Sequence, residues 1–311
     1  GKPLIYLDSA NSSQKPKGVI DRMSHFYETE YSNVGRSVHT LAVKSANRFE
    51  STRDKVQKYI NAKFREEIIF TKGATESINL IASTYGEKYI KPNDEILITE
   101  LEHHSNYVPW HFLRQNKKAV IKFAQMNQNG EVEIDEIKKL ISDKTKIIAL
   151  THISNVTGAI LPIKKIVDLA KEKNIPVLVD GTQGAPHEQI DMQSLGCDFY
   201  VISCHKMYGP NGLGILYAKK KWLDDLPPYQ GGGGMIDEVK KDNITYAETP
   251  TKFEAGTLQT AEVVAFGEAI NFVEKIGIKN ISEHENEILE YGLEKLKKNN
   301  SVSIIGNPKN R

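Results

Sequence analysis

The stretch Phe199-Tyr-Val-Ile-Ser-Cys-His-Lys-Met-Tyr-Gly-Pro-Asn-Gly-Leu-Gly214 joins a buried strand to a glycine-rich turn. Its first four residues, Phe199 to Ile202, form a short apolar run that favours a buried strand. Polar residues that include Lys206 follow, then Gly and Pro residues typical of a turn, and a second apolar run begins at Ile215. A lysine just past a buried strand lies where α/β proteins bind their ligands, at the carboxyl edge of the sheet.

Lys206 has a possible chemical partner upstream. The apolar run from Ile175 to Val179 predicts another buried strand, and it ends at Asp180. A half-buried lysine amine loses its charge more readily and can form a Schiff base with an aldehyde, and a carboxylate can pair with a protonated pyridine nitrogen. These are the two groups that pyridoxal phosphate requires. Taken alone, Lys206 is more often a surface residue, and Asp180 a helix cap.

Composition narrows the class of protein. The chain has 311 residues, of which 39% are hydrophobic and 26% charged, with a formal net charge of +1. This composition fits a large domain plus a second small or partial one, and it supports binding to neither nucleic acid nor membranes. Cys197 and Cys204 form neither a disulfide framework nor a zinc pattern, so no metal is expected. We expect a cytoplasmic protein, or a plastid-type organelle protein if a targeting segment was removed.

The order of apolar patterns predicts the fold. Strand and helix patterns alternate from Glu67 to Asp180, which is typical of a mainly parallel sheet with helices on both faces. We predict an N-terminal segment over residues 1–15 on the substrate side, a large domain over 16–260, and the start of a small domain over 261–311. A short apolar run at 302–305 resembles a strand that has barely begun, so we expect the chain to be part of a longer protein.

Other predicted strand ends supply polar groups to the same edge of the sheet. Gly73 precedes a helix whose first amides, at Ala74 and Thr75, can bind a phosphate, unless Thr75 is an ordinary helix cap. His103 can stack on a pyridine ring and relay a proton, although a lone histidine is more often structural. The remaining candidates are donors or acceptors near the same strand ends: Asn155, Ser203 and His205.

Longer stretches carry a resemblance to a known family. They are Glu102-His-His-Ser-Asn-Tyr-Val-Pro-Trp110, Thr151-His-Ile-Ser-Asn-Val-Thr-Gly158, Val179-Asp-Gly-Thr-Gln183, His205-Lys-Met-Tyr-Gly-Pro210 and Phe253-Glu-Ala-Gly-Thr257. Through them the chain resembles the group II (SufS/CsdA-type) cysteine desulfurases, in the class-V aminotransferase family of fold-type I pyridoxal-phosphate enzymes. The resemblance implies an α/β large domain with a mainly parallel seven-stranded sheet sandwiched by helices, plus a partial small C-terminal α+β domain.

The resemblance also implies roles for single residues. Lys206 is the Schiff-base lysine, and His103 is the stacking and proton-relay residue. Thr257 resembles a threonine that reaches the phosphate of the other subunit, which implies a homodimer with shared sites. The implied cofactor-binding set is Ala74, Thr75, His103, Asn155, Asp180, Gln183, Ser203, His205, Lys206 and Thr257.

The implied reaction removes sulfur from L-cysteine, leaves L-alanine, and passes the sulfur as a persulfide to a SufE- or SufU-like acceptor for iron–sulfur cluster assembly. In the family, a cysteine receives the sulfur and an arginine binds the substrate carboxylate. Both are expected downstream of Arg311, unless Arg36 substitutes for that arginine. Neither Cys197 nor Cys204 matches the persulfide cysteine.

Several positions depart from the family pattern. The usual Leu-Asp-Asn-Ala-Ala opening is Leu7-Asp8-Ser9-Ala10-Asn11, and Gly35 stands where a histidine is common. Cys204 replaces a small residue, and Leu258-Gln259 replaces Pro-Asn. These departures leave two alternatives open. One is a selenocysteine lyase or another class-V enzyme, and the other is a non-catalytic scaffold or binding protein that keeps the fold.

Overall fold

The computed structural model describes residues 1–35 and 38–311. Arg36, the possible substitute for the carboxylate-binding arginine, therefore lies outside the described residues. Within the described ranges, no helix combines the length and the apolar character that crossing a membrane requires.

A seven-stranded sheet is the centre of the fold. Its strands are β1 (Ile68–Thr71), β2 (Glu95–Thr99), β3 (Val120–Ala124), β4 (Thr145–Thr151), β5 (Val177–Asp180), β6 (Phe199–Ser203) and β7 (Gly214–Ala218). They lie in the order β1-β7-β6-β5-β4-β2-β3, and only β7 runs antiparallel to its neighbours. The prediction of a mainly parallel sheet is confirmed.

Helices cover the sheet on both faces. They are α1 (Lys17–Thr29), α2 (Thr40–Tyr59), α3 (Ala74–Tyr89), α4 (Val108–Lys117), α5 (Ile134–Leu140), α6 (Ile163–Glu172), α7 (Gly184–His187), α8 (Met192–Leu195), α9 (Lys220–Asp225), α10 (Thr260–Ile276) and α11 (Ile278–Lys297). The side chains of α3 and α4 pack on one face, whereas those of α2, α6 and α10 pack on the other.

The alternation of side chains along each strand explains why both faces need a cover. On β5, Val179 belongs to one apolar cluster and Leu178 to the other. On β6, Ile202 and Val201 divide in the same way. Because successive side chains of a strand point to opposite faces, a strand buried on both sides reads as a continuous apolar run. This is why the sequence pattern located the central strands closely.

Two regions differ from the sequence-based expectations. An exposed hairpin of β8 (Ile236–Val239) and β9 (Ile244–Tyr246) follows the four consecutive glycines Gly231 to Gly234 and was not predicted. The apolar run from Val302 to Ile305 forms no strand, and Ile305 is 94% exposed, because no described strand lies beside it to pair with. The boundary expected at residue 261 stays a prediction; α10 packs against α1 and α2.

Candidate active site

A cavity of about 820 Å³ opens at the carboxyl edge of the sheet. Parallel strands end at this edge together, so the residues that follow them meet there although they are far apart in sequence. Thr257 is exposed and is not among the lining residues. The predicted site residues that line the cavity are Ala74, Thr75, His103, Asn155, Asp180, Gln183, Ser203, His205 and Lys206.

Lys206 and Asp180 lie at the ends of the adjacent strands β6 and β5. After β6 the chain forms a short 3₁₀ turn over Cys204–Lys206. Asp180 is 4% exposed, and its Oδ1 accepts a hydrogen bond from the Thr182 amide at 3.0 Å. Among the described residues, neither its Oδ2 nor the Lys206 amine has a hydrogen-bond partner.

The electrostatics of this pair favour a reactive amine. Burial lowers the pKa of Lys206 below its ordinary value, while the negative charge of Asp180 opposes that shift. The pKa of His205 is lowered as well, first by burial and then by the positive charges of Lys206 and Lys15. Lys206 therefore supplies a neutral, nucleophilic amine at a lower pH than an exposed lysine does.

The start of α3 presents free backbone amides to the cavity that Lys206 lines. The cap residue Gly73 has φ +153° and no side chain, and a Cβ built there meets no atom within 4 Å. The amides of Ala74 and Thr75 donate to no acceptor in the part of the chain that the structure describes. A Cβ on Gly214 would lie 2.5 Å from the Gly73 backbone, so glycine is required where β7 passes this turn. Free amides at a helix N-terminus attract a phosphate.

The expected ring-contacting residues are oriented by local hydrogen bonds. The Nδ1 atom of His103 accepts from the Ser105 amide at 3.2 Å. This bond leaves Nε2 as the protonated nitrogen of the neutral ring, able to donate toward the cavity. The Nε2 of Gln183 donates to the Ala10 carbonyl at 2.9 Å, so one of its two amide protons stays available.

The structure also brings in residues that the sequence did not indicate. Asn11 and Ser12 line the cavity, and Ser12 Oγ lies 3.1 Å from Nδ1 of His205. Ser13 and Lys15 contact the His205 carbonyl. The polar run before Pro16 was visible in the sequence, but its partner lies about 190 residues away, and no local pattern reports such a contact.

Glu102 ties two strand ends together beneath the cavity. Its carboxylate accepts from the Thr99 hydroxyl at 2.6 Å, the Asn106 amide at 2.6 Å and the Thr151 backbone amide at 3.0 Å. Burial raises the pKa of Glu102 to about 8, and Asp180 adds to that rise, whereas the three donors oppose it. The network fixes the segment that carries His103 against β4.

The two thiols lie away from the site chemistry. Cys197 and Cys204 are both fully buried, and neither lines the cavity. Burial raises the pKa of Cys197 to about 12 and that of Cys204 well above its ordinary value. Because the thiolate is the nucleophile, neither residue is suited to attack a substrate sulfur.

Comparison with known proteins identifies the family. The family model for class-V aminotransferases matches residues 5–311. The chain is 45% identical over 307 residues to a cysteine desulfurase of Yersinia pseudotuberculosis, covering 98% of this chain and 76% of the relative. A probable cysteine desulfurase of Halalkalibacterium halodurans is 44% identical over 306 residues, with 98% and 75% coverage.

Solved structures agree with this relationship. The cysteine desulfurase CsdA of Escherichia coli superposes with a TM-score of 0.89 at 36% identity, covering 94% of this chain and 74% of that one. A cysteine desulfurase of Thermococcus onnurineus superposes with a TM-score of 0.94 at 32% identity, covering 99% and 76%. The chain therefore belongs to the class-V aminotransferase family, whose enzymes use pyridoxal 5′-phosphate.

Proposed function

We propose that this protein is a pyridoxal-phosphate-dependent cysteine desulfurase. The observation that carries the proposal is the juxtaposition of Lys206 and Asp180 at one cavity, an amine and a carboxylate oxygen without protein partners among the described residues. The relatives described above, at 45% and 44% identity, are named a cysteine desulfurase and a probable cysteine desulfurase.

The cavity residues fit the cofactor in charge and in shape. The open Oδ2 of Asp180 suits a protonated pyridine nitrogen, and the half-buried amine of Lys206 suits an aldehyde. The unpartnered amides of Ala74 and Thr75, with the space that Gly73 leaves in front of them, suit a phosphate. No side chain of the described residues would have to leave its hydrogen bonds for these contacts to form.

Each residue then has a defined task. When bound, the cofactor supplies an electron sink for the bonds at the substrate Cα. Lys206 would bind the aldehyde and move a proton with its amine, and Asp180 would keep the pyridine nitrogen protonated. Ser203 and His205 add donors on the phosphate side, as the resemblance implies. With its Nδ1 bonded to the Ser105 amide, His103 would hold a proton on Nε2 toward the cofactor, and Gln183, with one amide proton on the Ala10 carbonyl, would have the other to donate to the ring hydroxyl.

The overall reaction needs a thiol acceptor. L-cysteine and a thiol give L-alanine and a persulfide. The Cβ–S bond of the substrate breaks and an S–S bond forms. The two sulfur atoms together lose two electrons, and these electrons reduce Cβ to a methyl group. Because Cys197 and Cys204 are buried, the accepting thiol is a different one. Asn155, exposed at the cavity rim, is the proposed polar contact for the substrate carboxylate.

We extend the proposal to assembly and partners. Thr257 is exposed and is not among the residues that line the cavity of its own subunit, which leaves it free to contact the phosphate of a second subunit in a homodimer. A SufE- or SufU-like protein would receive the persulfide sulfur for iron–sulfur cluster assembly in the cytoplasm. These assignments rest on the family resemblance.

The test is a product assay on the natural full-length protein loaded with the cofactor. With L-cysteine and a small dithiol, we expect alanine and sulfide in equal amounts, and Asp180→Asn should reduce both by at least a hundredfold because a neutral amide no longer holds the pyridine nitrogen protonated. Asp21→Asn, an exposed surface change, is the control. Release of selenide from selenocysteine without sulfide from cysteine would contradict the proposal and favour a selenocysteine lyase.

A further inference from the structure

The carbonyl oxygen of His205, one residue before Lys206, accepts three hydrogen bonds from the N-terminal segment. The donors are the Ser13 amide at 3.2 Å, the Ser13 hydroxyl at 3.0 Å and the Lys15 ammonium at 2.8 Å. A carbonyl has two lone pairs, so three donors on one oxygen are unusual. The bond from Lys15 is the shortest and is charge-assisted, and such bonds are roughly twice as strong as neutral ones.

Lys15 bonds only to backbone carbonyl oxygens among the described residues. It is half-buried, and its second acceptor is the Ser13 carbonyl at 2.7 Å. Among the described residues it has no carboxylate within ion-pairing distance, so its partly buried charge is compensated by these two carbonyl oxygens. By contrast, Lys17 lies two residues further on, is 85% exposed and pairs with Asp21.

The contact acts on the peptide that carries Lys206. Peptide bonds are planar, so fixing the His205 oxygen also fixes the Lys206 nitrogen and narrows the directions that the Lys206 side chain can take. On the other side of the turn, Tyr208 donates its amide to Ser13 Oγ at 2.9 Å. The N-terminal segment therefore holds the Lys206 turn from both sides.

We propose that Lys15 is a positioning residue that holds the His205–Lys206 peptide so that the Lys206 amine stays directed into the cavity. The proposal rests on the proposed function, because it takes Lys206 as the lysine that binds the cofactor covalently. If Lys15 had only a general structural role, replacing it would weaken cofactor binding equally with and without Lys206. If Lys15 positions Lys206, replacing it should weaken cofactor binding only when Lys206 is present.

The experiment is a double-mutant cycle on cofactor affinity. Apo-protein is titrated with pyridoxal phosphate, by absorption and protein fluorescence, in the wild type, Lys15→Met, Lys206→Ala and the double variant. We expect Lys15→Met to weaken binding about tenfold, or about 1.4 kcal/mol. In the Lys206→Ala background the same change should alter affinity less than twofold, because no lysine remains to be positioned. Lys15→Arg should keep most of the wild-type cofactor affinity, and Lys17→Met should leave the affinity unchanged.

Each alternative result has a distinct meaning. An equal loss in both backgrounds, or no loss with Lys15→Met, would overturn the positioning role. If Lys15→Met does not fold, Lys15→Gln, which keeps one donor but no charge, replaces it in the same cycle and should weaken binding in the Lys206 background only. If Lys206→Ala leaves affinity unchanged, the proposed function fails instead, and the two failures are therefore distinguishable.

Discussion

Replacing Glu254 with glutamine removes the negative charge of a buried ion pair. This pair joins helix α2, which carries Arg53, to the segment before Thr257. Arg53 donates through Nη1 and Nη2 to the two carboxylate oxygens of Glu254, both at 2.8 Å. The two side chains are 2% and 3% exposed. The same carboxylate accepts from the Phe70 amide at 2.7 Å, so it also holds strand β1.

The geometry sets the size of the effect. Glutamine keeps one oxygen for Nη1 and the Phe70 amide, but its NH₂ group then faces Nη2, which is also a donor. Removing one partner of a buried ion pair costs about 3–5 kcal/mol. Because Glu50 still accepts from Arg53 Nε at 3.1 Å, we place Glu254→Gln at the lower end, about 3 kcal/mol of unfolding free energy.

Urea unfolding followed by fluorescence of the two tryptophans measures this change. The matched control is Asp21→Asn, which breaks an exposed pair whose side chains are 85% and 55% exposed and should cost less than about 0.5 kcal/mol. The double variant Arg53→Met/Glu254→Met should be more stable than Arg53→Met alone or Glu254→Met alone, since it leaves no unpaired buried charge. A Glu254→Gln variant as stable as the control would refute the reasoning.

Three further outcomes follow from individual contacts. Gly214→Ala should lower the free energy of unfolding by about 1–3 kcal/mol and weaken cofactor binding, because its Cβ would lie 2.5 Å from the Gly73 backbone. Gly292→Ala is the control and should change neither quantity, because its Cβ meets no atom within 4 Å. Equal stabilities of the two variants would contradict this prediction. Burial lowers the pKa of His152 from 6.5 to about 4, so unfolding takes up a proton between these pH values and stability falls by about 3 kcal/mol as pH decreases through them. His152→Gln should flatten that part of the stability–pH curve, and an unchanged slope would count against the assignment. Iodoacetamide should label Cys197 and Cys204 only after unfolding, as judged by mass spectrometry, because both thiols are fully buried, and labelling of the native protein would show that they are accessible.

The strands and the strand-end residues were predictable because their signals are local. Continuous apolar runs such as that of β5 occur where a strand is covered on both faces, and the polar residue that ends the run marks the carboxyl edge. Asp180, Lys206 and His103 could be selected in this way, and the longer family stretches added Gln183. The confirmed fold follows from the same patterns.

Contacts between distant parts of the chain were not predictable. The pairing of Arg53 with Glu254 spans 201 residues, and that of Lys15 with His205 spans 190. Nothing in the spacing of charged residues reports which pairs meet after folding, because solvated lysines and arginines have the same local pattern as buried ones. The hairpin of β8 and β9 was missed for another reason: its strands have four and three residues and are largely exposed, so each is too short for a periodic apolar pattern to stand out.

The most direct test of the central claim is the chemical identity of the cofactor attachment site. Protein loaded with pyridoxal phosphate should be yellow, and borohydride reduction followed by proteolysis and mass spectrometry should place the reduced cofactor on Lys206. Lys206→Ala should carry no covalent label but still bind the cofactor weakly through Asp180 and the first amides of α3. A label on any other lysine, or no covalent label in the wild type, would contradict the account.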